Sequence, residues 1–106
     1  MDSSQYKDTT TPRGLKYHYF FISASGDKPT LLFLHGFPST SSDWHKQVEF
    51  FVKKGYGVLV PDMLGYGGTD KPSDPVFYKK KSIAEDVVSL IDTENLRKVF
   101  AIAHDW

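Results

Sequence analysis

The chain has 106 residues, 40% of them hydrophobic and 15% aromatic, which is enough for one small packed domain and unlike a disordered chain. Its 13 basic side chains balance 13 acidic ones, so the net charge is zero and nothing suggests a nucleic-acid or membrane-surface partner. Cysteine is absent, which excludes disulfides and thiolate metal sites; no run reaches membrane-spanning length, and the N-terminus is polar, so a soluble cytoplasmic protein is expected.

Residues 1–13 read as a polar arm with a short strand near Lys7–Thr11. Leu15–Ser23 is aromatic and partly alternating, which predicts a strand. The turn cluster ASGDKP follows, and it predicts an antiparallel hairpin into the next run, Thr30–Leu34. That run is short and wholly apolar, as expected for a strand covered on both faces. Trp44, Val48, Phe51 and Val52 then recur at helical spacing, with Ser41 or Ser42 placed to cap the helix and Gly55 to end it. Gly57–Asp62 is a second apolar strand, and the glycine- and proline-rich segment after it predicts a loop. Ser82 and Glu85 form a capping-box pattern at the head of a second helix with Ile83, Val87, Leu90 and Ile91 on its apolar face. Val99–Ala103 is a third apolar strand. Strands alternating with amphipathic helices predict an α/β fold: a hairpin leading into a mostly parallel sheet flanked by helices.

Function in such a sheet gathers at the carboxyl ends of the strands, where three loops leave. The last, Ala103-His104-Asp105-Trp106, fits a nucleophile elbow, in which small flanking residues let the backbone fold tightly around a reactive side chain; here the reactive position is Asp105. Taken alone, an Asp after a strand is more often a helix cap or a turn residue. The first, His35-Gly36-Phe37-Pro38, combines a glycine that permits close approach with an X-Pro bond that is a candidate for the cis form. Such a turn can aim the Phe37 backbone N–H at the top of the sheet, where with the Trp106 N–H it makes a two-donor oxyanion hole. The alternative is a plain turn with a histidine packed beneath it. The middle loop, Asp62–Pro72, fails as a dinucleotide fingerprint: Gly65 and Gly67 match, but Asp70 takes the third glycine's place and Pro72 and Pro75 block an immediate helix. A structural loop shaping a pocket wall is expected instead.

In this order and spacing, the three loops resemble the α/β-hydrolase fold superfamily, and within it the epoxide hydrolases. The resemblance runs from about residue 14 to residue 106, so 14–106 is expected to be the N-terminal half of that core. It implies that Asp105 attacks an epoxide carbon to form a covalent ester, and that the Phe37 and Trp106 N–H groups stabilise the oxyanion formed when water hydrolyses it. It also implies a cis bond at Pro38 and an apolar pocket lined by Phe37, Trp106 and Trp44, with His35 and Gly36 completing the motif. The substrates would be a small apolar epoxide and water, with no cofactor and no metal. In the resembling enzymes the tyrosines that hold the ring oxygen, and the histidine and acid that activate water, follow the elbow, and no residue of this chain matches them.

Two other readings stand beside this one. Dehalogenases of the same fold also use an Asp nucleophile, but haloalkane dehalogenases commonly carry a polar residue at the position of Phe37, and fluoroacetate dehalogenases tend to carry Arg at the position of Trp106. A non-catalytic ligand-binding protein on this scaffold needs neither an oxyanion loop nor a nucleophile. A strand order that stops at the elbow leaves a sheet edge unpaired, so residues 1–106 on their own are expected to be an inactive, poorly folded piece. Cooperative unfolding and epoxide turnover by a sequence-verified 106-residue polypeptide would refute that expectation.

Overall fold

The computed structural model describes residues 1–104. Five strands, β1 (Tyr6–Thr10), β2 (Lys16–Ile22), β3 (Thr30–Leu34), β4 (Gly57–Pro61) and β5 (Val99–Ala103), form one sheet in the order β1-β2-β4-β3-β5. Helix α1 (His45–Lys53) connects β3 to β4, and α2 (Lys80–Thr93) connects β4 to β5. β3 pairs in parallel with both β4 and β5, whereas β2 is antiparallel to both of its neighbours.

The turn cluster after β2 does not close a hairpin, contrary to the expectation from its composition. The hairpin is formed by β1 and β2, with Tyr6 opposite Phe20 and Thr10 opposite Lys16. β2 pairs on its other edge with β4, Tyr19 opposite Pro61 and Ile22 opposite Val58, and β3 sits one strand further on. Gly26 does adopt the left-handed conformation of a turn, φ +56°. Turn chemistry reverses the chain, but it does not choose the strand's neighbour. That choice follows burial: β4 is buried at every position, and so needs partners on both edges and cover on both faces.

Period-two alternation sorts the core into two layers. Tyr17, Tyr19, Phe21, Leu32 and Leu59 face α2, where Val87 and Leu90 are buried among them. Phe20, Leu31, Phe33, Val58 and Val60 face α1, where Val48 is buried with Trp44, Phe51 and Val52 alongside. Each large apolar side chain buried in this way contributes about 1.5–3 kcal/mol. The two helices therefore lie on opposite faces, the faces that their apolar stripes had specified.

The helix starts differ from the expected caps. A single 3-10 turn, Ser41–Trp44, precedes α1, and neither serine caps it. The buried Ser41 instead shares a hydrogen bond with the Tyr6 hydroxyl at 2.7 Å. α2 begins at Lys80, before Ser82, so the capping box is not made. Gly55 ends α1 as expected, with φ +88°. β5 lies at the sheet edge beside β3, with Phe100 62% exposed, which matches the unpaired edge anticipated from the strand order.

Two carboxylates, Asp86 within α2 and Glu94 at its C-cap, are tied to β2 and the N-terminal segment. Asp86 is buried and accepts a bidentate pair from Arg13, Nε at 2.9 Å and Nη2 at 2.6 Å, and a third bond from the Tyr17 hydroxyl at 2.7 Å. Glu94 accepts from the Tyr19 hydroxyl at 2.6 Å and from Lys7 at 3.1 Å. A buried carboxylate requires such partners to offset its desolvation. Burial, and then the hydrogen bond to a carboxylate, pushes both phenols above their ordinary range. Their folded-state values exceed the unfolded value of about 10, so their contribution to stability is complete below that pH and is lost as pH rises above it. Chemical denaturation at pH 7 through 11.5 should show the loss, and Tyr17→Phe should lessen it while costing about 1 kcal/mol at neutral pH.

Candidate active site

β3 and β5 run in parallel and in register, with Leu34 opposite Ala103, so the segments that leave them emerge side by side. The His104 N–H donates to the Leu34 carbonyl at 3.2 Å and extends the ladder by one residue into the loop. Residues His35–Pro38, expected from the motif to form an oxyanion loop, therefore begin next to His104. Asp105 and Trp106, the expected nucleophile and second N–H donor, lie outside the described residues.

The Phe37–Pro38 bond is cis, as the motif had suggested. The Phe37 side chain is 74% exposed. Its backbone N–H has no acceptor among the described residues, whereas neighbouring backbone groups of the loop are engaged. The Gly36 carbonyl, for example, accepts from the Ser39 hydroxyl at 3.0 Å.

His35 is buried, and its ring is fully engaged. The Met63 backbone N–H donates to Nε2 at 2.9 Å. That ring nitrogen must carry a lone pair, so the proton sits on Nδ1, which lies 3.0 Å from the Gly36 carbonyl and donates to it. The imidazole is thus held as a strut between the first and middle loops. It is not available as a general base. His18 and His45 are also committed, Nδ1 of the former to Asp8 at 2.6 Å and of the latter to the Ser42 carbonyl at 2.9 Å. Among the described residues no group of His, Asp and Glu has metal-binding geometry.

The middle loop is built around Asp62. Its carboxylate is buried and accepts the Ser41 N–H on Oδ1 and the Gly68 N–H on Oδ2, both at 2.9 Å. Its carbonyl accepts from the Thr69 hydroxyl at 2.5 Å, and its N–H donates to the His18 carbonyl at 2.9 Å. The loop can wrap this tightly because Gly67 has φ +52° and no side chain; a Cβ there would lie 2.3 Å from Asp62 Oδ2. Sequence reading treated this segment as a pocket wall and missed Asp62 as its anchor. The available signal was an acidic residue directly after a fully apolar strand.

Two cavities flank the oxyanion loop and share His35 and Gly36. One, of about 220 Å³, is lined by Phe37, Met63, Leu64, Tyr66, Tyr78 and Ile83, a mainly apolar set with two phenols. The Tyr66 ring meets His35 edge-on at 5.1 Å and Phe37 at 6.4 Å. The other, of about 180 Å³, is lined by Ser39, Asp43, Trp44, Gln47 and His104. Trp44 packs on Phe33 at 5.0 Å, and its indole N–H is buried with no acceptor among the described residues. Trp44 and Phe37 therefore line different cavities rather than one.

A family model described as alpha/beta hydrolase fold matches residues 29–106. Epoxide hydrolase 3 of Siraitia grosvenorii is 38% identical over 98 residues, which are 92% of this chain and 30% of that protein. Epoxide hydrolase 4 of Homo sapiens is 38% identical over 93 residues, 88% of this chain and 25% of that protein. Among solved structures, an epoxide hydrolase from Vigna radiata aligns with a TM-score of 0.83 at 33% identity, covering 100% of this chain and 32% of its own. Epoxide hydrolase A from Mycobacterium thermoresistibile aligns with a TM-score of 0.85 at 29% identity, covering 95% and 31%. The chain thus spans about 30% of the length of the curated relatives it matches. Gly67→Ala should destabilise the fold by more than about 1 kcal/mol through its positive φ and the Asp62 contact, a loss readable as a lowered urea midpoint.

Proposed function

The chain belongs to the α/β-hydrolase fold family, and from that premise we propose that its site opens epoxides to vicinal diols through a covalent ester on Asp105. The observation that carries this reading is the Phe37 N–H, which no described residue accepts, in the turn beside the end of β5. A receptor has no need of such a donor together with an Asp at the elbow position of the sequence. The similarity to epoxide hydrolases of plant, animal and bacterial origin adds independent support.

The chemistry proceeds in two steps. A carboxylate oxygen of Asp105 attacks a ring carbon; the carbon–oxygen bond of the strained ring breaks, and the departing oxygen takes up a proton. Water then adds to the ester carbonyl, and the negative charge on its oxygen is met by the Phe37 and Trp106 N–H groups. Collapse releases the diol and restores the carboxylate. His35 takes no part as a base, since both ring nitrogens are engaged. Proton delivery to the ring oxygen and activation of the water fall to residues outside the described ones, as the resemblance implies. The mainly apolar cavity beside Phe37 supports a small apolar epoxide as substrate.

The test is hydrolysis of styrene oxide by the full-length protein. Asp105→Ala should lower turnover by on the order of 10⁴-fold. A single turnover in ¹⁸O-water should place the label in the Asp105 carboxylate and leave the first diol unlabelled, because water attacks the ester carbonyl and not the substrate carbon. Label in the first diol would rule out the ester. Halide release from a haloalkane without diol formation would instead assign the site to a dehalogenase.

A further inference from the structure

Resting on the reading above, we propose that Asp62 is a positioning residue for oxyanion stabilisation, acting through the backbone of residues 35–41. Two consecutive residues at the end of β4 hold both ends of that segment. The Met63 N–H holds its first residue, through His35 Nε2 at 2.9 Å, and the Asp62 carboxylate holds its last, through the Ser41 N–H at 2.9 Å. Phe37, whose N–H has no acceptor among the described residues, lies between the two attachment points. The tie is rigid on the other side as well. Asp62 is fixed by the Gly68 N–H, the Thr69 hydroxyl and the His18 carbonyl, so the segment is referenced to β2 and β4 rather than to solvent.

The choice of a carboxylate also needs explaining. Asp62 is 4% exposed, and among the described residues no cation pairs with it. Burying a carboxylate without a counter-cation is expensive unless several donors point at it. Both donors here are backbone N–H groups, one on each side, and only a group with two acceptor oxygens can serve both. An asparagine would present an NH₂ to one of two N–H donors. The residue type is thus matched to tying two loops together.

A displacement of the Phe37 N–H by a fraction of an ångström affects the step in which the oxyanion forms and not the step in which the ring opens. In full-length Asp62→Asn, hydrolysis of the ester should slow by about 100-fold while its formation stays within about threefold, so the covalent ester accumulates and is seen by intact mass after rapid acid quench. Amide hydrogen exchange followed by NMR gives a readout independent of turnover, and Asp62→Asn should speed exchange in residues 36–41 at least tenfold while β2–β4 amides are unchanged. Ser41→Pro removes the same N–H without touching the carboxylate. Proline suits the first position of a helical turn, and the extended Thr40, ψ 177°, accommodates it. It should reproduce both effects, and Tyr6→Phe, which loses only the hydroxyl contact to Ser41, should reproduce neither. Equal loss in both chemical steps, unchanged exchange in residues 36–41, or failure of both Asp62→Asn and Ser41→Pro to fold would overturn the assignment. Absence of any ester in the wild type, with the exchange effect still seen in Asp62→Asn and Ser41→Pro, would sink the epoxide reading and leave the tie between the loops intact.

Discussion

β3 forms parallel ladders with β4 on one edge and with β5 on the other. Parallel strands that share a register also share an end, so the loops after β3, β4 and β5 all leave the sheet at the same place. Everything of chemical interest depends on that pairing. It sets the loop that begins at His35 beside His104, and it sets the Asp62 loop beside that loop. Parallel pairing in turn demands crossover helices on the faces, and α1 and α2 meet the demand from opposite sides, each burying its apolar stripe.

Polar contacts divide the labour within this frame. At the carboxyl end of the strands, Asp62 and His35 join loop to loop through backbone groups, and they fix the geometry of the segment that holds Phe37. Deeper in the fold, Asp86 and Glu94 join α2 to β2 through tyrosine hydroxyls and cations of the N-terminal segment. The first group positions a site, whereas the second locks a helix to a sheet. The conformations glycine permits are used where loops must close on these groups, most plainly at Gly67 against the Asp62 carboxylate.

Much of the architecture was legible from residue pattern. Val99–Ala103 forms β5 over the anticipated span, Thr30–Leu34 forms β3, and the apolar stripes of both helices bury the residues that their spacing named. What went astray was local signal overruled by distant partners. The ASGDKP turn is real, yet β2 pairs with β4, because a strand buried at every position outcompetes a sequence neighbour for the edge. Ser41 looks like a cap, but its hydroxyl is taken by Tyr6, a residue far away in the chain. Asp86 carried a readable hint that went unused: it stands three positions after Ile83, on the apolar face, where an acidic residue must have buried partners. His35 reads in sequence as part of a motif, and only its hydrogen bonds to Gly36 and Met63 reveal it as a strut.

By itself, then, the sequence determined the succession of strands and helices, the face each helix buries, and the identity of the three loops that hold the candidate chemistry. Those features are encoded locally, in periodicities of two and 3.6 and in glycine and proline placement. Only the tertiary structure decided which strands are neighbours, which groups His35 bonds to and how the middle loop wraps around Asp62. Each of these depends on a hydrogen-bond or packing partner many positions away, and no pattern along the chain records which of several capable partners will be the one that burial brings within reach.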